Sequence, residues 1–249
     1  MSAPLASRER DLLEVTRRFY DPLWSDARLV EPKRFNTWPL VSSLLSSSRP
    51  RLELAPGLRP RLPLEGTHFV DMSAPAIAKL RARGANAVVG LVSELPFPDG
   101  VFDLVCAFDI VEHVEDDDGV LAEISRVAAP GAAVLLSVPL HPAYWTPFDD
   151  MVGHRRRYEP DAIVAKLAKH GLVVERSAVY GMKPKSSALV DFGMRMLERH
   201  RERAMWWYSS VLMPLALRFQ QTLEFRPGLV PTAQVNEVLL VCRKAGRPQ

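Results

Sequence analysis

The chain has 249 residues, 47% of them hydrophobic and 24% charged, with a formal net charge of +3. That size and balance suit one large water-soluble domain, with or without an added helical cover, and the basic residues are scattered except at His154-Arg155-Arg156-Arg157. No basic stripe of the kind a nucleic-acid binder needs is present, so no nucleic-acid partner is expected.

The N-terminal segment turns charged at Arg8-Glu9-Arg10 before an apolar core builds, which does not read as a secretory leader. Apolar residues then recur at helical spacing from Arg8 to Tyr20 and from Phe35 to Leu45. These helices, within residues 1–49, are expected to pack on a core domain spanning residues 50–249. After Ser46-Ser47-Ser48-Arg49-Pro50 the pattern changes to strands alternating with helices. Strands are expected at Leu52–Ala55, His68–Asp71, Ala87–Gly90, Phe102–Phe108, Ala132–Val138, Leu172–Val179 and Glu237–Arg243. Ser73 is positioned to cap a helix with Pro75 in its first turn and Gly84 at its end. Asp117 or Asp118 is expected to cap a second helix closed by Pro130-Gly131, and Asp161 to His170 forms a third. Residues 184–225 read mainly as helices, a helical insertion before the last strand. Met205 to Leu217 is the longest apolar stretch, broken by Ser209, Ser210 and Pro214, and it falls short of the ~20 residues a membrane-spanning helix needs. Cys106 and Cys242 each sit among strand-forming apolar residues, as buried thiols of a reducing cytoplasm do.

Strands separated by single helices imply right-handed crossovers, a mostly parallel sheet, and a ligand site beyond the carboxyl ends of the strands. At those ends stand Gly57, where a backbone can approach a ligand closely, and Asp71, where a carboxylate can accept hydrogen bonds from two ribose hydroxyls. Leu91-Val92 offers an apolar wall and a backbone N–H for an adenine ring. Taken alone, Asp71 reads equally well as a turn or helix-capping carboxylate.

Residues from about 50 to 180 resemble the class I methyltransferases that use S-adenosylmethionine (SAM), of the kind that includes the ubiquinone and menaquinone enzymes. The segments that carry the likeness are Leu52-Glu53-Leu54-Ala55-Pro56-Gly57, Phe69-Val70-Asp71-Met72-Ser73, the run Leu95-Pro96-Phe97-Pro98-Asp99-Gly100-Val101-Phe102-Asp103-Leu104-Val105, and Asp109-Ile110-Val111-Glu112-His113-Val114. The stretch from Trp145 through Asp149, Asp150, Gly153 and His154 to Tyr158 resembles a loop of one branch of the family. The resemblance implies a Rossmann-like α/β fold with a seven-stranded sheet, helices on both faces and the last strand antiparallel. It also implies that Glu53 orients the loop after the first strand, that Ala55 and Gly57 pass close to the methionine moiety, and that Asp71 binds the ribose with Met72 packed on adenine. Leu91 and Val92 would flank the adenine, and Phe108 and Asp109 would face the methionine portion and the methyl group.

The chain departs from the family pattern in two places. The usual glycine-rich loop reads Ala55, Gly57 and Arg59 here, and Pro56, Pro60 and Pro63 fall where the first helix normally runs, which forbids a regular helix. Leu91 stands where relatives commonly have an aspartate.

For a hydroxyl acceptor, methyl transfer needs alignment and removal of a proton, and His154 and His113 are the candidate bases. Each also reads as a loop-fixing histidine, His154 through Asp149 or Asp150. Asp109, Glu112 and His113 resemble a metal-binding spacing of ubiquinone-type O-methyltransferases, but the Glu-His pair is widespread in metal-independent relatives, so no metal is expected. Met205-Trp206-Trp207-Tyr208 and Val211-Leu212-Met213 suit a lid over a large apolar acceptor or a membrane surface, with Trp206 packed inward. The expected activity is therefore methyl transfer from SAM to a small or lipid-like acceptor, at oxygen or carbon. The alternative is a catalytically silent methyltransferase-like binding module, suggested by the degenerate loop and Leu91.

Overall fold

Ala128–Pro139 (β5) is buried along almost its whole length, and the rest of the sheet is assembled on either side of it. The computed structural model describes residues 20–45, 49–181, 196, 203 and 206–246. In chain order they form α1 (Asp21–Asp26), α2 (Trp38–Leu44), β1 (Arg51–Leu54), β2 (Thr67–Asp71), α3 (Ala74–Ala82), β3 (Asn86–Val89), β4 (Phe102–Phe108) and α4 (Asp117–Val127). After β5 come α5 (Pro147–Val152), α6 (Pro160–Lys169), β6 (Leu172–Val179), α7 (Met213–Arg218), β7 (Arg226–Pro227) and β8 (Glu237–Lys244).

The strands lie in one sheet in the order β3-β2-β1-β4-β5-β8-β6-β7. Strands β1 to β5 pair in parallel, whereas β8 runs antiparallel to both β5 and β6. This is the expected Rossmann-like arrangement with one correction. The sheet has eight strands rather than seven, because Arg226–Pro227 adds a two-residue edge strand to β6. So short a pairing carries no periodicity and is invisible in the sequence.

Alternate residues of each strand feed opposite faces. Leu52 and Leu54 join Val120, Leu121 and Ile124 of α4 and Ile163 and Leu167 of α6 on one face. On the other, Leu40 and Val41 of α2 pack with Leu62, Leu104, Cys106 and Leu135, and Leu23 and Trp24 of α1 pack with Phe69 and Ile77. No helix forms between β1 and β2, as the prolines there require. Both cysteines are free and buried.

Ser73 caps α3 by accepting from the Ala76 N–H, as its position suggested. The cap of α4 is Asp116 rather than Asp117 or Asp118, because Asp116 accepts from the Gly119 N–H at 2.9 Å while Asp117 turns inward to Tyr158 and Lys166. Nor does Pro130-Gly131 end that helix. The chain passes from Val127 directly into β5, and the two residues lie in a bulge opposite the start of β4. The helix expected from Arg8 lies outside the described residues except for Tyr20, and the helical reading of 184–225 falls within them chiefly from residue 206 onward.

Candidate functional site

The carboxyl ends of β1, β2, β4 and β5 converge, and most of the residues singled out in the sequence stand along that edge. Glu53 is almost fully buried, and its carboxylate accepts the Arg61 N–H at 2.8 and 3.0 Å and the Leu62 N–H at 2.8 Å. It thereby folds the proline-rich loop back onto β1. Burial outweighs those bonds and lifts its pKa to about 7. Asp71 accepts from the Gly57 N–H at 2.8 Å and the Ser73 N–H at 2.8 Å, and its pKa is raised to about 6, again by burial. Gly90 donates to the Asp71 carbonyl, which brings Leu91 and Val92 beside the end of β2. Leu91 and Met72 are half-buried, Val92 is buried, and Ser93 and Glu94 are exposed.

Three backbone positions on this edge have left-handed conformations: Ala55 at φ +48°, Gly57 at +53° and Asp109 at +50°. Such values are strained for Ala55. Asp109 relieves part of its strain locally, its N–H donating to Ser137 Oγ at 3.0 Å while that hydroxyl donates back to Asp109 Oδ1 at 2.6 Å.

Two N-terminal aromatics cover the edge. The Trp24 ring lies so close to Gly57 that a Cβ there would sit 2.2 Å from Trp24 Cζ2. Tyr20 stacks on Trp24, meets His113 edge-on, and donates its hydroxyl to the Val152 carbonyl at 3.1 Å. Their side of the site is closed by α1, which is tied down by Ser73 Oγ donating to Asp21 Oδ1 at 2.6 Å.

The second half of the site is built on Asp149. Thr146 and Asp149 form a reciprocal capping box that starts α5, and Gly153 at φ +81° ends it in the left-handed conformation a glycine tolerates. Asp149 has no exposed side-chain surface. It receives Arg157 through Nε on Oδ1 at 3.0 Å and Nη2 on Oδ2 at 3.0 Å, and it accepts His154 Nδ1 on Oδ1 at 2.8 Å. A carboxylate acceptor fixes the Nδ1–H tautomer and leaves the lone pair on His154 Nε2. That nitrogen faces Glu112 Oε1 at 3.8 Å. Both Glu112 carboxylate oxygens are buried without a hydrogen-bond partner among the described residues, and burial, with Asp109 nearby, pushes the Glu112 pKa well above the usual carboxylate range. His113 is buried edge-on against His154, with ring centroids 4.7 Å apart, and burial lowers its pKa to about 3, so it is neutral. Asp150 instead accepts from Trp145 Nε1 at 3.1 Å, which leaves Asp149 as the partner of His154. The donor atoms of Glu112, His113 and His154 lie within 4.8 Å of one another, a set that could hold a metal ion, and Asp109 is not part of it.

Residues 58–136 match the family model described as a methyltransferase domain. Over that stretch the chain is similar to methyltransferase domains. The chain is similar to a probable SAM-dependent methyltransferase of Mycolicibacterium smegmatis, 30% identical over 112 residues, a match that covers 43% of each chain. Among the curated relatives it matches, the chain thus spans less than half the length. A solved Thermotoga maritima SAM-dependent methyltransferase, described as a possible histamine N-methyltransferase, superposes with TM-score 0.62 at 15% identity, over 94% of this chain and 99% of that one. The [4+2]-cyclase SpnF superposes with TM-score 0.58 at 14% identity, over 99% and 98% of the two chains. At those identities the likeness is one of fold, and the fold hosts more than one chemistry.

Whether SAM suits this edge can be judged from its buried polar atoms. Glu112 Oε1 and Oε2 on the acceptor side and Arg61 Nε on the donor side have no partner among the described residues. SAM brings a sulfonium, an ammonium and a carboxylate, charges of both signs that match such a set, and its ribose hydroxyls match the remaining lone pairs of Asp71. The residues fit the cofactor.

Tyr20, Trp24 and Arg61 were not legible as site residues. Nothing in their spacing distinguishes them, and each reaches the site only through the folding of an irregular segment.

Two measurements test this description. Gly57→Ala should destabilise the domain by about 2–3 kcal/mol in urea unfolding, from the left-handed backbone and the Trp24 overlap, and adding Trp24→Ala should recover part of that loss. Glu112→Gln should leave stability unchanged near pH 4 and raise it increasingly above pH 4.5. The sign follows because a carboxyl with a raised folded pKa holds more protons folded than unfolded, so wild-type stability falls as pH rises.

Proposed function

We propose that the chain transfers a methyl group from SAM to a small or lipid-like acceptor, at oxygen or carbon, with His154 as the proton acceptor. The observation that carries this reading is the Asp149–His154 pair, whose free Nε2 points toward the partnerless Glu112 carboxyl at the carboxyl edge of the sheet.

In this reading Glu53 and the loop through Ala55 and Gly57 hold the methionine portion, Asp71 the ribose, Met72, Leu91 and Val92 the adenine, and Phe108 and Asp109 the region of the transferred methyl. When bound, SAM supplies a methyl group on an electrophilic sulfonium. The protein's own contribution is positioning and proton removal. The proton of a hydroxyl acceptor would pass to His154 Nε2, and the Asp149 carboxylate at Nδ1 would stabilise the imidazolium. Burial holds the His154 pKa below 6.5, so the ring is unprotonated and ready at neutral pH. His113 and Glu112 wall the same recess and shape the acceptor's approach.

The lipid-like side of the proposal is supported by exposed Trp206, Trp207, Leu212, Leu215 and Phe219 around α7. Trp206 points outward, contrary to its expected inward packing. Such a surface suits peripheral contact with a membrane or an amphiphilic acceptor. No helix among the described residues is long and apolar enough to cross a membrane. Two free buried thiols accord with a cytoplasmic setting.

His154→Ala should lower turnover by ~10²–10⁴-fold while leaving SAM affinity within about twofold, as expected when a general base is removed. The wild-type rate should fall on an acid limb lying below the ordinary imidazole range, because burial lowers the His154 pKa, and the variant should lose that limb. Unchanged turnover would assign His154 to the Asp149 loop alone.

A further inference from the structure

Arg61 is a buried cation that forms no ion pair among the described residues. Its side chain lies under the surface, 8% exposed, in the loop after β1. The guanidinium stacks on the Phe35 ring at 3.7 Å and lies 5.5 Å from the Phe108 ring. Its hydrogen bonds go to neutral oxygens, Nη1 to the Arg59 carbonyl at 2.9 Å and Nη2 to Tyr180 Oη at 3.1 Å. Nε has no partner. The carboxylate nearest in sequence, Glu53, is engaged by the Arg61 and Leu62 backbone instead, and among the described residues no side chain forms an ion pair with Arg61.

A desolvated guanidinium with only neutral partners is costly, and a planar anion that can take two parallel N–H bonds offsets that cost best. The cation is set where such an anion would arrive. Its loop leaves the carboxyl end of β1, Phe108 ends β4, and Tyr180 follows β6 on the same edge. Glu53, and then Asp109 beside Phe108, act on the Arg61 charge without pairing with it. With Arg157 already committed to Asp149, Arg61 is the buried cation left outside an ion pair among the described residues of this edge, where Asp109 and Glu112 supply carboxyl groups. An amino-acid zwitterion that also carries a sulfonium has the complementary pattern, two positive groups and one carboxylate.

We propose that Arg61 receives the α-carboxylate of the methionine portion of SAM, and that Phe35, Phe108 and Tyr180 form the aromatic seat that holds the guanidinium in place for it. The assignment rests on the SAM-dependent reading above, and it names a residue that no sequence motif marked.

The test is calorimetric and needs no methyl acceptor. S-Adenosylhomocysteine keeps the carboxylate, whereas 5′-methylthioadenosine keeps the adenosine and thioether but lacks the amino-acid end. Arg61→Gln should weaken S-adenosylhomocysteine by ~10–100-fold, the range for a lost charge-assisted hydrogen-bonded pair, and should leave methylthioadenosine within about twofold. Arg61→Lys should restore part of the loss. An equal loss for both ligands, or no loss for S-adenosylhomocysteine, overturns the assignment. If the Arg61 variants fail to fold, the wild-type protein still decides: it should bind S-adenosylhomocysteine at least ~10-fold more tightly than the decarboxylated analogue, and equal binding refutes the proposal. Failure of the wild type to bind any of these ligands at millimolar concentration would overturn the SAM reading as well, whereas equal binding of all of them removes only the role of Arg61.

Discussion

The prolines at 56, 60 and 63 deny the segment after β1 a helix, and much of the site is a consequence of that constraint. Without a helix, the loop cannot satisfy its own amides by local bonds. Glu53 takes over that task by accepting the Arg61 and Leu62 N–H groups at the base of the sheet, which turns the loop back and buries Arg61. The sheet face beside the loop is covered by α2 and Leu62, and the surface of Gly57 by the Trp24 ring of α1. The N-terminal helices are thereby part of the site wall.

A second constraint is electrostatic. Asp149 is removed from solvent, so its charge must be met completely, and Arg157, Thr146 and His154 meet it together. Pairs of this kind cost a great deal to break and little to keep, which fixes the irregular stretch after β5 as firmly as a regular element would. Its by-product is a histidine with one nitrogen committed and the other aimed at a buried, unpaired glutamate. The same geometry that locks the loop leaves His154 Nε2 facing that recess, as the proposed role of proton acceptor requires.

The contrast between the two halves is informative. On the β1–β2 side the polar atoms are largely satisfied by backbone groups, with Asp71 linking the ends of two strands. On the β4–β5 side Glu112 is unsatisfied among the described residues, and so is Arg61 Nε in the loop after β1. Buried groups left without partners in an otherwise well-bonded structure mark where a ligand completes the protein.

The sequence by itself determined the sheet and its connections. Apolar strands, the Ser73 cap and the glycine after α3 are local signals whose physical basis lies within a few residues, and they located the carboxyl edge with Glu53, Gly57 and Asp71 on it. What needed the tertiary structure was everything that depends on long-range approach. The edge strand at Arg226–Pro227 exists only because β6 offers it a partner, Asp116 displaces Asp117 as a cap because Tyr158 and Lys166 draw Asp117 inward, and Asp149 rather than Asp150 orients His154. Trp24 over Gly57, the partnerless Glu112 and the unpaired Arg61 are likewise products of chain segments that meet across the fold. Helices and strands follow from short-range periodicity, whereas burial of a charge follows from which distant groups arrive beside it, and no pattern along the chain records that.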